Sequence, residues 1–479
     1  MKTVDIFSLI QEHPAVQAVH RLASAAELQV LIVGGAVRDV YRTGTLPQDL
    51  DFVVLHPEGE LQHPAEGLSR QVADALKGHY VLLDAEYGIH RIVIRYDDEP
   101  ELVLDISDAL NNSLVDDLNR RDLTVNSVAM DLATGQLHDP HGGLKDAEAG
   151  LIQMVSMENL LEDPLRLLRV FRIAATIGAN KIDLDTLAVV QEHGAKLLEA
   201  APERIHYEFF RLLNAEPCFE WLLAMADSGL LEVILPEFIP MRDVQPNRYH
   251  HLGLFEHTLE LVKQSERLIE AFPAEVQGWI RQPFNGMVSR FGLIKLACLL
   301  HDIGKPATME EKEDGKVTFY GHDQLSEEMT EEVAKRWKLS RDVKEFVQKL
   351  VRWHLYPCQF GPDSSRKSVM RFFRRMGETT PDVLLLALAD RYSAQGPMIK
   401  PEDLETTRQD HLWLAEEYLA AQEVLNRPRL LDGREVMELL GLAPGPEIGK
   451  IMSALQEAQQ LDEVTTPEEA RGWVKREYG

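Results

Sequence analysis

The order of apolar and polar positions divides the chain into two parts. Residues 28 to about 155 alternate short apolar segments with brief helical stretches. Apolar runs of this length between turn residues are typical of buried strands. From about residue 156 onward, apolar residues recur at spacings of three and four, which is typical of amphipathic helices. The pattern therefore predicts an α/β unit followed by a mostly helical chain.

Five segments of the first part are predicted strands. They read QVLIV, DFVVL, YVLLD, RIVIRY and LVLDIS, and the turn-rich segment DPHGG at residues 139–143 follows them. The helical part is interrupted at residues 239–253 by a segment rich in Pro, Asn and His. We therefore expect an α+β multidomain protein with four parts: an α/β unit over 1–155, a helical connector over 156–238, a histidine-bearing helical region over 248–395 and a helical tail over 396–479.

Composition agrees with a soluble globular protein of several domains. The 479 residues are 45% apolar and 27% charged, and a domain of about 150 residues is the usual size. The first residues lack the apolar core of a signal peptide, and no stretch is long and apolar enough to span a membrane. We therefore expect a cytoplasmic protein that does not bind a membrane.

Cysteine content and net charge exclude some classes of site and partner. The three cysteines are scattered and have no CxxC spacing, so neither a disulfide framework nor a thiolate zinc site is indicated. The net charge of −28 argues against a protein that coats nucleic acid non-specifically, although it allows a local basic patch.

Two aspartates at the start of a predicted strand form a candidate metal site. Asp49 and Asp51 in QDLDFVV occupy positions i and i+2, so their carboxylates point to the same face. Neighbouring like charges repel unless a cation lies between them. Mg²⁺ prefers carboxylate and phosphate oxygens, and two such ions about 4 Å apart can activate a hydroxyl and stabilise a departing pyrophosphate.

The residues before these aspartates suit a phosphate. Gly34 and Gly35 follow a predicted strand and open a predicted helix, where free backbone N–H groups attract anions. Arg38 adds a forked cation in the first turns. Together with the aspartates, this arrangement suits a nucleoside triphosphate and its metals.

Each motif alone has an ordinary explanation, because a GG pair is usually a turn and a DxD is usually a solvated loop. In this order and spacing they resemble the nucleotidyltransferases of the polymerase-beta type. The resemblance implies a third carboxylate on a neighbouring strand, for which Asp105 in LVLDIS is the candidate. The alternative for Asp105 is an acid that faces water at a strand edge.

Three further motifs are similar to those of the bacterial class II CCA-adding tRNA nucleotidyltransferases and their poly(A) polymerase relatives. RRDLTVNSVAMDL at 120–132 resembles RRDFTINA, with Leu and Val in place of Phe and Ile; EDPLRLLRVFRIAA at 162–175 resembles EDxxR, and ERIHYE at 203–208 resembles ERxxxE. The resemblance implies a polymerase-beta-type head and an all-α neck. It also implies addition of CMP and AMP from CTP and ATP to the 3′ end of tRNA, without a template and with Mg²⁺.

The resemblance also implies roles for single residues of the head. Arg121 and Asp122 would contact the triphosphate and the ribose. Asn126 would support the same contacts, or else cap a turn. In the neck, Glu203, Arg204 and Glu208 would brace the helices and support RNA binding.

Asp163 and Arg166 of the EDxxR motif are the candidate base readers. Their i, i+3 spacing predicts neighbours on one helix face. A carboxylate accepts and a guanidinium donates, so the pair complements the base edge of cytosine or adenine, and not that of uracil or guanine. The alternative is a salt bridge on the helix surface.

The histidine-bearing region contains an H…HD…D pattern that resembles the HD-type phosphohydrolases. His257 lies in FEHTLELV, His301 and Asp302 lie in LLHDIGKP, and Asp390 lies in LALADRYSA. Such ligands suit Mn²⁺, Ni²⁺, Co²⁺ or Fe²⁺. His322 and His354 would add ligands for a second metal, although a lone histidine is more often a packed or surface residue.

One branch of the bacterial CCA-adding enzymes resembles this chain in carrying an HD domain. The resemblance implies a 2′,3′-cyclic phosphodiesterase, 2′-nucleotidase or phosphatase activity, with an HD domain that only holds RNA as the alternative. The basic segment RKSVMRFFRR at 366–375 would position phosphates or form a solvated helix face with its two Phe residues in the core. LAPGPEIG in the tail would contact RNA backbone or simply connect two helices.

Other functions share the same core motifs. They are a CC-adding or A-adding enzyme, a poly(A) polymerase, and a metal phosphohydrolase whose head only binds nucleotide. The features that separate the first three lie in a loop within residues 56–115, and the acidic tail argues against a poly(A) polymerase. The sequence leaves the oligomeric state and the metal of the HD region open.

Overall fold

The computed structural model of the chain describes residues 3–57, 63–84, 88–96, 101–246, 251–313 and 317–479. The backbone divides into two compact units. The first comprises residues 1–212 with 220–234, and the second comprises residues 213–219 with 235–479. The domain boundaries expected at 155, 238 and 395 stay predictions.

A seven-stranded mixed sheet lies at the centre of the first unit. Its strands are β1 (Gln29–Val33), β2 (Asp49–Leu55), β3 (His79–Asp84), β4 (Ile89–Ile94), β5 (Leu102–Asp108), β6 (Ala129–Asp131) and β7 (Leu137–His138). The order across the sheet is β3-β4-β5-β2-β1-β6-β7. β2 and β5 run parallel, whereas β1 is antiparallel to both of its neighbours. The five predicted strands are confirmed as β1 to β5.

Helices cover one face of this sheet, which leaves the acidic side chains on the other. The covering helices are α1 (Thr3–Gln11), α2 (Pro14–Ala25), α3 (Gly35–Thr43) and α4 (Pro64–Leu76). Leu50, Phe52 and Val54 of β2 are buried in the apolar core formed with these helices. Because strand side chains alternate, Asp49 and Asp51 project from the opposite face.

The rest of the first unit is helical, as the spacing of apolar residues predicts. It contains α5 (Leu114–Asn119), α6 (Gly143–Ala149), α7 (Met157–Glu162), α8 (Leu165–Thr176), α9 (Leu184–His193), α10 (Pro202–Leu213), α11 (Phe219–Asp227) and α12 (Leu230–Ile234). A parallel pair of two-residue strands, β8 (Leu151–Ile152) and β9 (Lys181–Ile182), joins the segments before α7 and α9.

The second unit is formed almost entirely by helices. They are α13 (Leu254–Leu268), α14 (Ala274–Ile280), α15 (Arg290–Leu300), α16 (Lys305–Thr308), α17 (His322–Arg336), α18 (Arg341–Trp353), α19 (Arg366–Met376), α20 (Thr380–Ser393), α21 (Pro401–Leu425), α22 (Gly433–Leu440), α23 (Pro446–Gln460) and α24 (Pro467–Tyr478), with a hairpin of β10 (Glu310–Glu311) and β11 (Val317–Thr318). α15 is buried along its whole length and packs against α13, α18 and α20. α22, α23 and α24 enclose a small apolar core of their own.

The basic segment at 366–375 forms α19. Phe372 and Phe373 are buried, as expected. Lys367, Arg371 and Arg374 all form ion pairs with Glu457 of α23, at 2.9, 2.9 and 3.2 Å. The side chains of Lys367 and Arg371 are still 54% and 55% exposed, so α19 has a solvated face whose cations also pair with a carboxylate of the tail.

No helix in the described ranges has both the length and the apolar character needed to cross a bilayer. The loop within 56–115 that was expected to separate the related activities falls partly on residues 58–62, 85–87 and 97–100, which lie outside the described residues.

Candidate active sites

Three carboxylates lie on the face of the sheet opposite the covering helices. Asp51 on β2 stands opposite Asp105 in the parallel register with β5, and Asp49 lies on the same face of β2. Burial and the neighbouring Asp105 raise the pKa of Asp51 to about 6. A cation bound between the carboxylates would relieve this repulsion, so the oxygen ligands present fit a hard divalent ion.

Two arginines lie near these acids. Arg91 of β4 is directly opposite Asp105 in the register and donates two hydrogen bonds to its carboxylate, at 2.9 and 2.7 Å. Nη2 of Arg211 lies 3.8 Å from Oδ2 of Asp49. The Asp105 side chain is 17% exposed, so the acid is neither buried nor free in water. The sequence pattern singles out neither arginine, because strand pairing decides which residues meet.

Gly34 forms the turn between β1 and α3 and allows close packing beside the acids. Its φ is +70°, in the region that favours glycine. A Cβ at this position would lie 3.0 Å from Nη1 of Arg121 and 3.8 Å from Oδ2 of Asp51. α3 begins at Gly35, where backbone N–H groups point to the same turn. The structure thus brings the glycines, Arg121 and the aspartates together.

Arg38, Asn126 and Asp122 form a buried network. Arg38 donates to Oδ1 of Asn126 at 2.6 Å and to Asp39 at 2.7 Å, and Nδ2 of Asn126 donates to Asp122 at 2.9 Å. Nη2 of Arg169 lies 2.9 Å from Oδ2 of Asp122. Although burial opposes it, Arg169 holds the pKa of Asp122 well below its usual range. Asn126 therefore links the two motifs, whereas contacts of Arg38 and Asp122 with a nucleotide stay predictions.

A buried acid that the sequence did not reveal positions Arg121. Asp117 of α5 accepts hydrogen bonds from Arg120 at 2.8 Å and from Arg121 at 3.1 Å. Although burial opposes it, the two guanidinium groups lower the pKa of Asp117. Asp117 lies outside the quoted RRD motif, and only its i+3 and i+4 spacing to the arginines gives a signal.

The expected helical pairing of Asp163 and Arg166 is wrong. Asp163 ends α7 with φ −123° and ψ 107°, and α8 starts only at Leu165. The reason is Pro164, since the residue before a proline is kept out of the helical region. Asp163 forms an ion pair with Arg204 at 2.7 Å.

Arg166 contacts backbone instead of Asp163. Its Nη1 donates to the carbonyl oxygen of Arg120 at 3.0 Å and to that of Asn159 at 2.7 Å. Glu162 lies at 3.2 Å from the same nitrogen. Arg166 thus connects α7 and α8 to the RRD segment of the head.

The ERxxxE residues lie on α10 with different environments. Glu203 and Arg204 are exposed, whereas Glu208 is buried. Glu208 accepts a hydrogen bond from Nε of Arg172 on α8 at 2.7 Å, and both side chains are 10% exposed or less. A paired buried charge of this kind holds α8 and α10 together, in line with the bracing role expected.

In the second unit, six predicted ligands converge. His257 lies on α13, Asp390 on α20 and His322 at the start of α17, while His301 with Asp302 and His354 directly follow α15 and α18. The potential ligand atoms form two overlapping groups, each within 4.8 Å: His257, His301 and Asp302, and Asp302, His322 and His354.

Hydrogen bonds at Nδ1 orient the histidines of this cluster. Nδ1 of His301, His322 and His354 lies 2.8, 2.8 and 2.7 Å from the carbonyl oxygen three residues earlier. Because a carbonyl only accepts, Nδ1 of each ring carries a proton, and Nε2 is the nitrogen left for a metal. Nδ1 of His257 lies 3.1 Å from Oγ of Ser393, whose hydroxyl donates to the Asp390 carbonyl. The same tautomer therefore suits His257.

Asp302 lies at the centre of the cluster. Nε2 of His301 and His322 lies 3.0 and 3.3 Å from its carboxylate, and Nζ of Lys305 lies 2.5 Å away. Although burial opposes it, His301 and Lys305 hold the pKa of Asp302 well below its usual range. Burial and His301 lower the pKa of His354 to about 3. Although burial opposes it, Asp302 raises the pKa of His301 to about 10, so a metal ion would have to displace the His301 proton that faces the carboxylate. Imidazoles around an ionised carboxylate fit a divalent transition metal.

Three family descriptions match successive parts of the chain. "Poly A polymerase head domain" matches residues 30–153, "Probable RNA and SrmB- binding site of polymerase A" matches residues 181–241, and "HD domain" matches residues 254–395. The A-adding tRNA nucleotidyltransferase of Deinococcus radiodurans is 36% identical, over 93% of this chain and 94% of the relative. The chain belongs to the bacterial class II tRNA nucleotidyltransferases.

Other members of the family agree with this assignment. The CC-adding tRNA nucleotidyltransferase of Thermus thermophilus is 34% identical over 92% of each chain. Among solved structures, the Thermotoga maritima CCA-adding enzyme complexed with tRNA has a TM-score of 0.60 at 19% identity and covers 98% of each chain. A CCA-adding enzyme with ATP has a TM-score of 0.64 at 18% identity, again over 98% of each chain. The fold of a nucleotidyltransferase head, helical neck and HD domain is confirmed, and tRNA nucleotidyl transfer is the activity of the family.

Proposed function

We propose that the chain adds CMP and AMP to the 3′ end of tRNA without a template, taking CTP and ATP as substrates. The relatives named A-adding and CC-adding support the reaction. The solved neighbours in complex with tRNA, ATP and CTP support the partners. The observation that carries the proposal is the triad of Asp49, Asp51 and Asp105 beside the Gly34 turn.

In this proposal the three carboxylates hold divalent ions, with Mg²⁺ as the proposed metal. Bound there, such ions would make the RNA 3′-hydroxyl a better nucleophile and stabilise the pyrophosphate that leaves. The backbone N–H groups at Gly35 and the guanidinium of Arg121 would bind the triphosphate. Arg91 would keep Asp105 in place, because it donates two hydrogen bonds to that carboxylate. Asp117 would keep Arg121 in place, because its carboxylate accepts hydrogen bonds from Arg121 and Arg120.

Substitution of Asp51 tests the reaction directly. tRNA that lacks its last three, two or one nucleotides is incubated with each NTP singly and Mg²⁺, and the ends are sequenced. Asp51→Asn should slow extension on the order of 10³-fold, since a metal contributes several kcal/mol to the transition state. Asp74→Asn on the exposed side of α4 is the matched control and should extend tRNA normally. Normal extension by Asp51→Asn would contradict the proposal.

The full-length relatives favour a second candidate, an enzyme that performs only one of the two additions. The two relatives reported above, at 36% and 34% identity over more than 90% of the chain, are each named for a single addition, of A or of CC. The same assay separates the candidates, because products end in CCA for the first and in CC or a single added A for the second.

We also propose that the HD region hydrolyses a 2′,3′-cyclic phosphate or a related phosphate ester at an RNA or nucleotide end. His257, His301, Asp302, His322, His354 and Asp390 would hold Mn²⁺, Ni²⁺, Co²⁺ or Fe²⁺, which supply an activated water when bound. The water oxygen would bond to phosphorus while one ester P–O bond breaks, and the ester oxygen would leave as a hydroxyl. The four histidines whose Nδ1 is engaged by a backbone carbonyl or by Ser393, which leaves Nε2 for a metal, support the proposal.

Hydrolysis of 2′,3′-cyclic AMP with added Mn²⁺ or Ni²⁺ tests this second activity. Asp302→Ala should abolish hydrolysis and leave nucleotide incorporation intact. Asp342→Ala, an exposed acid in the first turn of α18, serves as the control and should change neither reaction. Equal hydrolysis by Asp302→Ala and the wild type would refute the assignment.

A further inference from the structure

A cavity of about 450 Å³ lies beside the histidine cluster of the second unit. Part of its lining comes from the HD region, with Lys305, His322, Asp390 and Arg391. The rest includes Asp410 and His411 of α21, a helix that starts at residue 401, beyond the match to the HD description at 254–395. A helix outside the HD match therefore completes the cavity.

His411 presents an unused acceptor in this lining. The side chain is 1% exposed. Its Nδ1 lies 2.8 Å from the carbonyl oxygen of Thr407, one turn earlier on α21. Nε2 is buried and has no hydrogen-bond partner within the described ranges of the chain.

The hydrogen bond at Nδ1 determines what Nε2 can do. The Thr407 carbonyl only accepts, so Nδ1 carries the proton and Nε2 carries a lone pair. Burial also lowers the pKa of His411 to about 4, which keeps the ring neutral near pH 7. Buried acceptors are nearly always paired. Because His411 lines the cavity and its Nε2 has no protein donor among the described residues, a ligand in the cavity that brings an O–H or N–H group would supply the missing partner.

Charge separates the two sides of the cavity. The HD side contributes two cations, Lys305 and Arg391, and one acid, Asp390, which belongs to the cluster that we assign to metal. α21 contributes an acid, Asp410, and the neutral His411. A phosphate is attracted to the first side and repelled by the carboxylate of the second. The second side can instead accept hydrogen bonds from hydroxyl groups.

We propose that Nε2 of His411 accepts a hydrogen bond from a sugar hydroxyl of a phosphate ester whose phosphate lies on the Lys305 side. This inference rests on the proposed hydrolase function and names its substrate class. Among the phosphate esters of that proposal, the site selects ribose monophosphates with a free hydroxyl next to the phosphate, and a 2′,3′-cyclic phosphate, which has no free 2′- or 3′-hydroxyl, gains nothing from His411. His411 is then a specificity residue contributed from outside the HD match.

His411→Phe in the full chain tests this assignment, because the phenyl ring has a similar size and no acceptor. The probes are adenosine 2′-monophosphate and its 3′-deoxy analogue, which differ by one hydroxyl. Hydrolysis is followed with Mn²⁺, and binding of each probe is measured without metal by calorimetry. The wild type should prefer the probe with the hydroxyl by about tenfold in KM and in Kd, as one hydrogen bond allows. His411→Phe should lose this preference in both KM and Kd.

The head is the same in both proteins, so a difference in binding between them belongs to the cavity. If wild type and His411→Phe show the same preference, or the wild type shows none, the inference is wrong while the hydrolase proposal stands on its own activity. A third outcome is that the wild type hydrolyses no ester but binds the probe with the hydroxyl more tightly than the deoxy probe, whereas His411→Phe binds both equally. In that case the hydrolase proposal fails and the binding role of His411 holds. If neither binding nor hydrolysis occurs, both fail. Should His411→Phe not fold, His411→Gln is measured instead. Its amide oxygen can accept the same hydrogen bond, so this variant should keep part of the preference for the probe with the hydroxyl.

Discussion

Arg166 is positioned by two carbonyl oxygens and Glu162 rather than by Asp163. Its Nη1 contacts the carbonyls of Arg120 and Asn159, while Asp163 is held by Arg204. The guanidinium therefore has a fixed location at the junction of the head and α8 without using the Asp163 carboxylate of the EDxxR motif. Base reading by both residues remains a proposal, and it requires that Asp163 face the base from outside the helix.

Arg166→Ala should reduce base choice more than nucleotide binding. Loss of a paired base contact costs about 1–3 kcal/mol of discrimination. The ratio of CTP to UTP incorporation should therefore fall by tenfold or more, with the Kd for CTP changed much less. Arg42→Ala, which removes an exposed arginine of α3, should leave the ratio unchanged. An unaltered ratio in Arg166→Ala would remove Arg166 from base reading.

Ser393→Ala should weaken metal binding in the HD region without removing a ligand. The Ser393 hydroxyl lies 3.1 Å from Nδ1 of His257 and fixes its tautomer. Loss of such a supporting partner typically lowers metal affinity 10–100-fold. Ni²⁺ retained after dialysis against a chelator series measures the effect, and Ser340→Ala on the start of α18 is a control that should affect helix stability only.

Residues whose neighbours are set by local periodicity can be inferred from the sequence. Asp49 and Asp51 share a face because strand side chains alternate. The partnership of Arg91 with Asp105 depends on strand register, which no local pattern reveals. The pairing of Asp163 with Arg166 fails because Pro164 interrupts the helix that the spacing assumes.

The contact between α19 and α23 relies on charge. One carboxylate, Glu457, accepts ion pairs from three cations of α19. Although partial burial opposes it, Arg371 and its neighbours lower the pKa of Glu457 to about 2. The acidic tail thus neutralises the most basic helix of the second unit.

Glu457→Gln should destabilise the second unit in a pH-dependent way. The pKa of Glu457 is lower in the folded protein than in the unfolded chain, so its stabilising effect is complete above pH 4.5 and is lost as pH falls towards 2. At pH 7 the free energy of unfolding should drop by about 2 kcal/mol, allowing for partial exposure. Urea unfolding at pH 7 and pH 3 measures the difference, which should shrink at pH 3. Glu447→Gln, at the exposed start of α23, should be neutral at both.

The longer secondary structures follow from the sequence, and the short ones do not. The apolar runs of β1, β2, β4 and β5 are long enough to show their pattern. β6 and β7 have three and two residues, too few for any periodicity. The burial of α15 along its whole length also agrees with its nearly continuous apolar sequence before His301.

The molecule consists of two compact units, and each contains one candidate site. The carboxylate triad lies in the first, and the histidine cluster lies in the second. Oxygen ligands alone favour Mg²⁺, whereas imidazole ligands favour transition metals. The two chemistries should therefore respond to different ions and to different substitutions.

Ni²⁺ should raise the thermal midpoint of the second unit selectively. Binding to the folded state alone contributes about 2.7 kcal/mol at a ligand concentration one hundred times Kd. Scanning calorimetry with and without Ni²⁺ should show one transition shifted and the other unchanged. Asp302→Ala should remove the shift, while Asp51→Asn should keep it. A shift that survives Asp302→Ala would place the Ni²⁺ elsewhere.

The alternation along β2 has a consequence for how this gene can vary. Leu50 separates the two acids and is anchored in the apolar core. Inserting a single codon between Leu50 and Asp51 would turn Asp51 towards the covering helices and bring Phe52 to the face that now carries the acids. The number of residues between Asp49 and Asp51 is therefore more strictly constrained than the identity of most side chains nearby. Insertions and deletions should be tolerated only outside β2.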